Sequence, residues 1–158
     1  MKIFIPRSVA ETSIPYLINK ILTEFVNYKK IIILTRYENL EIMKNIDYVD
    51  EVLEVDSKFF QKKTEIINTY TYNKNDKIVI PISNKNKIYS YKNVYNFMKK
   101  NFQGCNIFYY DFANDKLFKY DFNFSFYILR NFIFILSSLM FLPILFIAIL
   151  IFLISYLK

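Results

Sequence analysis

Two short loops hold most of the side chains in this chain that could do chemistry. Pro6-Arg7-Ser8-Val9-Ala10-Glu11-Thr12 follows an apolar run at the N-terminus, and Ser83-Asn84-Lys85-Asn86-Lys87 follows another, KIVIPI. Arg7 offers a phosphate or carboxylate a planar fork of donors. Ser8, Thr12, Ser13 and Ser83 offer hydroxyls, Asn84 an amide and Lys85 a point charge, which together make a ligand-binding set. Glu11 is the only acid in the first loop, hence the only candidate catalytic base there. A helix opening at Ser13 would turn free N–H groups toward an anion. The same residues have a plainer reading, with Ser13 as a helix cap and Glu11 as a favourable charge on the helix dipole.

What is missing narrows the chemistry further. The chain has no histidine, which removes histidine triads, histidine bases and most zinc sites. Its one cysteine, Cys105, allows no internal disulfide or thiolate cluster. The setting GCNIFYY reads as a buried strand with an inert thiol. One glycine, Gly104, leaves neither G-x-G-x-x-G nor a Walker loop. No cofactor and no metal site are expected. The formal net charge is +7, with the lysines scattered. That suits a solvated basic surface and also attraction to anionic lipid head groups. No nucleic-acid motif accompanies the charge, so a nucleic-acid partner is not expected.

Alternating patterns place these loops on a scaffold. Strands are predicted at Lys2 to Ile5, Lys30 to Thr35, Glu51 to Val55, Lys77 to Ile82 and Cys105 to Tyr110. The run Ile14, Leu17, Ile18, Ile21, Leu22, Phe25 marks one apolar face of a helix, with Pro15 in its first turn. Further helices are predicted at Glu38 to Asn45, Ser57 to Tyr70 and Ser90 to Asn101, with a turn at Asn73 to Asp76. This order implies an α/β domain over residues 1–112, a Rossmann-like parallel sheet of order 3-2-1-4-5 with helices on both faces. Ligands of such sheets bind outside the carboxyl ends of the strands, where the order reverses. The two loops above flank that point.

From 131 to 157 the chain carries no charged side chain, and from Phe132 it is almost wholly apolar. About 20 such residues cross a bilayer, and these 26 would make a helix of roughly 39 Å. Residues 126–157 are therefore expected to form one membrane helix, with 113–125 as a juxtamembrane linker. The hydroxyls of Ser137, Ser138 and Ser155 can bond back to the helix backbone. Lys116, Lys119 and Arg130 precede the run and only Lys158 follows it. A single pass with a cytoplasmic N-terminal domain is the expected topology. Pro143 leaves open a second geometry, in which the helix breaks and re-enters the cytoplasmic leaflet.

KIFIPRS, SIPYLINKIL and KKIIILTRYENLEIMKNIDYVDEVLEVD resemble the N-terminal, acceptor-side half of GT-B glycosyltransferases of the heptosyltransferase type. Arg7 matches the arginine near the end of that family's first strand. Pro15 matches the proline opening the first helix, and Tyr48 to Val52 the turn before strand three. The likeness covers roughly residues 1 to 56. The Gly-Asp that carries the family's catalytic base is missing, and Glu11 matches it only across a gap. The second, nucleotide-sugar-binding domain has no counterpart in these residues. The architecture is similar to the anchored half of two-subunit glycosyltransferases, without their glycine-rich first loop. Arg130-Asn131-Phe132 before the broken apolar run resembles the re-entrant helix of monotopic phosphoglycosyl transferases, which implies a mode of attachment and no chemistry.

These resemblances imply a membrane-anchored accessory protein of surface-glycan assembly that lacks a complete active site. Its expected partners are the lipid bilayer, a lipid-linked glycan acceptor and a soluble glycosyltransferase subunit. In a catalytic variant of this reading, Glu11 or Asp111 acts as base once that subunit docks. A non-enzymatic, membrane-tethered interaction module is the alternative.

Overall fold

The computed structural model describes residues 1–56, 60, 64–120, 132, 134, 137 and 152. The chain divides into two compact units, Met1–Tyr120 and Asp121–Lys158. The first unit is an α/β fold around one sheet. Its strands are Lys2–Pro6 (β1), Lys30–Thr35 (β2), Glu51–Glu54 (β3), Lys77–Ile82 (β4), Asn106–Asp111 (β5) and Lys116–Lys119 (β6), and its helices are Ile14–Glu24 (α1), Leu40–Lys44 (α2) and Lys92–Asn101 (α3). The sheet order is β3-β2-β1-β4-β5-β6. The first five strands are parallel and β6 is antiparallel to β5.

Strand alternation divides the core into two layers. Ile3, Ile5, Ile31, Ile33 and Val79 pack with Ile14, Leu17, Ile18 and Ile21 of α1 and Met43 of α2. Phe4, on the alternate face of β1, meets the ring of Phe102 just past α3, with centroids 4.4 Å apart. Tyr95 of α3 stacks on Tyr109 of β5. The helices thus change faces where the strand order reverses, as right-handed crossovers require.

The helix expected over Ser57 to Tyr70 is not formed in its described part. Residues 64–70 are irregular and carry an antiparallel bridge, Ile66 opposite Val55. Side chains capture the backbone in its place. Asp56 Oδ1 accepts from the Glu65 N–H at 2.8 Å, and Asn68 Oδ1 from the Glu54 N–H at 2.8 Å. Short polar side chains of this kind offer the backbone an alternative to the helical ladder, and β-branched Thr64, Ile66, Ile67 and Thr69 lower its propensity. The connection covers its side of the sheet with rings, Phe60 against Phe97 and both Tyr70 and Tyr72 against Phe102.

Two further differences are local. A 3-10 turn, Glu11–Ser13, leads into α1, so Ser13 has helical dihedrals and makes no side-chain cap. Cys105 lies ahead of β5, half-buried, with its thiol donating to the Asn73 carbonyl at 3.2 Å. Burial, then the Asp76 carboxylate, push that thiol's pKa up against the pull of Lys77.

The strand β6 occupies part of the stretch expected as a linker. The membrane helix expected over 126–157 lies outside the described residues except for Phe132, Phe134, Ser137 and Phe152, which are helical. Ser137 Oγ donates to the Phe134 carbonyl at 2.8 Å, the back-bond anticipated for a hydroxyl in an apolar run. Among the described residues no helix is long and apolar enough to cross a membrane.

Candidate functional site

β1 and β4 run paired only through Ile3–Lys77 and Phe4–Ile78, then part. Pro81 has no N–H to give, and its carbonyl accepts the Ser8 hydroxyl at 2.7 Å across the gap. On the other side, the Arg7 N–H donates to the Leu34 carbonyl and the Val55 N–H to the Thr35 carbonyl, both at 2.8 Å. These bonds fix the carboxyl ends of β1, β2 and β3 as one rim.

A cavity of about 480 Å³ opens on that rim. Arg7, Ser8 and Val9 line it from the end of β1, Thr35 and Arg36 from the end of β2, and Val55 from beyond β3. Phe60 and the segment around the start of α3, with Ser90, Tyr91, Asn93 and Val94, complete the wall. The lining combines two guanidinium groups, hydroxyls and an amide with an apolar side. Pockets of this size with a few convergent polar groups hold small organic ligands.

Two buried polar atoms in this lining lack a hydrogen-bond partner, Thr35 Oγ1 and Arg7 Nε. Thr35 is only 2% exposed. Leaving such groups unmet costs on the order of 1–3 kcal/mol each. Each arginine also holds one carboxylate at the surface. Arg7 Nη2 pairs with Glu11, and Arg36 Nη1 with Glu38 at 3.1 Å. Each guanidinium has five N–H donors, so one carboxylate leaves several unused.

The residues singled out from sequence separate into two groups here. Arg7 and Ser8 line the cavity, whereas Glu11, Thr12, Ser13, Ser83, Asn84 and Lys85 are not in its lining. The Ser13 N–H already donates to the Ala10 carbonyl at 3.1 Å, so it is not open to an anion. Ser83 stands behind the wall, its N–H donating to the Tyr91 hydroxyl at 3.0 Å. Asn84 caps the 3-10 turn Lys85–Tyr91 by accepting from the Asn86 N–H. The Lys85 ammonium sits 5.3 Å from the centre of the Phe118 ring. Asp111 is buried and accepts from the Lys85 and Ala113 N–H groups and the Asn114 amide, which makes it a loop clasp.

Thr35, Arg36, Ser90 and Asn93 are among the lining residues that sequence reasoning passes over. The available signal is that the carboxyl-end rule applies to β2 as well as to β1 and β4. No group of three or more His, Cys, Asp or Glu side chains that could hold a metal exists among the described residues.

Fold and cavity together define the class: a mostly parallel α/β sheet with a cationic pocket at its carboxyl rim. No family model, curated protein or solved structure matches the chain.

Proposed function

We propose that this protein is a membrane-tethered, acceptor-side half of a glycosyltransferase system in surface-glycan assembly, of lipopolysaccharide or capsule type. It holds an acidic glycan acceptor in the cavity and leaves donor binding and transfer to a partner subunit. The observation that carries this reading is the pair Arg7 and Arg36 on one pocket at the carboxyl rim of a Rossmann-like order of elements. Arginine forks suit sugar carboxylates and phosphates, and their charge concentrates such ligands from solution. The apolar run of residues 131–157 supports the tether, and the basic residues before it support a cytoplasmic domain.

The engaged state of both acids favours binding over catalysis by this chain alone. Glu11 is paired with Arg7, and Asp111 is enclosed by three donors. The same observation favours a second reading, a non-enzymatic tethered module that only presents its ligand.

Titration of the purified full chain with UDP-sugars tests the half-enzyme reading. No saturable signal is expected near physiological concentration unless a partner subunit is added. Micromolar binding by the isolated chain, abolished by Arg7→Ala, would make this a catalyst in its own right and overturn the proposal.

A further inference from the structure

We propose that the acidic group held by this cavity is a phosphate monoester, gripped by Arg7, Thr35 and Arg36 with its organic part against Val55, Phe60 and Val94. The inference rests on the acceptor-holding reading and names the chemistry of what is held. Thr35 is the first support. Its hydroxyl oxygen is buried, has no partner and belongs to a residue on the cavity wall. Arg7 Nε, also unmet, is a donor only, and so asks for an acceptor. Two residues of the lining thus carry an unmet N–H and an unmet hydroxyl at atoms enclosed by protein, and the two guanidiniums of the same lining draw an oxyanion.

Shape selects among oxyanions. A carboxylate presents two oxygens in one plane and is satisfied by a single arginine fork. Here the donors arrive from the ends of two different strands, Arg7 from β1 and Thr35-Arg36 from β2. A tetrahedral phosphate, with three terminal oxygens, can meet all three side chains at once. Charge agrees, because a monoester is close to a dianion at neutral pH and faces two guanidiniums. The Glu11 and Glu38 carboxylates are partly or largely exposed, so solvent screens their competition.

Volume argues for an ester over the free ion. The cavity is about 480 Å³, far more than one phosphoryl group fills, and its remaining wall sets Val9, Val55, Phe60, Tyr91 and Val94 beside the polar Ser8, Ser90 and Asn93. The esterified group can belong to a soluble sugar or to a membrane lipid. The two sources share the same headgroup chemistry.

The test uses the full chain in nanodiscs of neutral phosphatidylcholine, followed by phosphorus NMR and calorimetry. One arm adds glucose 1-phosphate, a second builds phosphatidic acid into the nanodisc, and a third adds glucuronic acid. Saturable binding in either phosphate arm supports the proposal, and the arm that responds names the source. Thr35→Val and Arg36→Gln should each weaken that binding about tenfold or more. Thr35→Val should leave the ligand-free melting temperature equal or higher, which separates lost binding from lost folding. Affinity should rise as the pH passes about 6, where the monoester gains its second charge.

Saturation by glucuronic acid alone would overturn the phosphate proposal and leave the acidic-acceptor reading standing. Silence in all three arms would overturn both. Phosphate binding unchanged by both substitutions would overturn the site.

Discussion

Asp76 and Asp50 each stand one residue ahead of a strand and tie down the start of the neighbouring one. Asp76 Oδ1 accepts from the Lys2 N–H of β1 at 2.7 Å and its Oδ2 from the Asn73 N–H at 2.8 Å. Asp50 Oδ2 accepts from the Ile31 N–H of β2 at 2.7 Å. Asp76 is buried, so its two charge-assisted bonds act in a low-dielectric setting. Asp76→Ala should cost about 3 kcal/mol in urea denaturation, and Asp50→Ala, at an exposed position, clearly less. A second residue pair makes stability depend on pH. Burial, then the hydrogen bond to Asp115, hold the Tyr110 hydroxyl above the ordinary tyrosine pKa. The unfolded chain therefore releases this proton first. The contribution is intact below about pH 10 and disappears as pH climbs through the raised folded value. The Tyr110 hydrogen bond, before any other cause, holds the Asp115 carboxyl below its ordinary range. That contribution is present above about pH 4 and disappears as the pH falls through the folded value. Tyr110→Phe should flatten both limbs of a stability-versus-pH curve, and an unchanged alkaline limb would show that Tyr110 does not set it.

In the described part of the connection from β3 to β4, Phe60 and residues 64–76, aromatic rings cover the sheet as a crossover helix does elsewhere. Phe102 is 1% exposed and touches Phe4, Tyr70 and Tyr72. Phe102→Ala should therefore cost about 3–5 kcal/mol, read from chemical denaturation, because it opens a cavity beneath those rings. Sequence makes this element hard to foresee. The stretch from Ser57 carries apolar residues at intervals a helix can use, but over the described residues 64–70 Asp56 and Asn68 reach backbone groups, which periodicity does not register. Where one signal dominates, the reading is direct. The Ile14 to Phe25 stripe gives α1, and KIIILT and KIVIPI give β2 and β4. β6 is absent from the expected elements although Asn114-Asp115 between two aromatic runs is turn chemistry, and Asp115 does adopt a positive φ of 47°. The cavity divides in the same way. Arg7 is legible because it ends a strand beside the reversal point. Thr35 looks like one more strand residue until its neighbours are in place and its hydroxyl is left without a partner.

At the scale of the molecule, the unit boundary after Tyr120 yields a sharp truncation test. Residues 1–120 should fold alone and give an α/β circular dichroism spectrum. A chain cut after Asp115 loses β6 and bares the edge of β5, so it should self-associate on size-exclusion chromatography. On the proposed membrane reading, a reporter fused after Lys158 should lie outside the cytoplasm. A cytoplasmic signal would favour the re-entrant geometry, and replacing Pro143 should then change it. The strand order also sets a timetable for synthesis. β1 pairs with β2 early, but its other neighbour, β4, begins some seventy residues after β1 itself ends. At about 5–20 residues per second, that is a wait of roughly 4–15 s with one flank of the central strand unpaired. A nascent chain at this stage should depend on chaperones, and slowing translation upstream of Lys77 should raise aggregation. On the same membrane reading, the apolar run of residues 131–157 leaves the ribosome only after all the strands of this sheet have been made, so the sheet can close before any membrane-targeting machinery encounters that run.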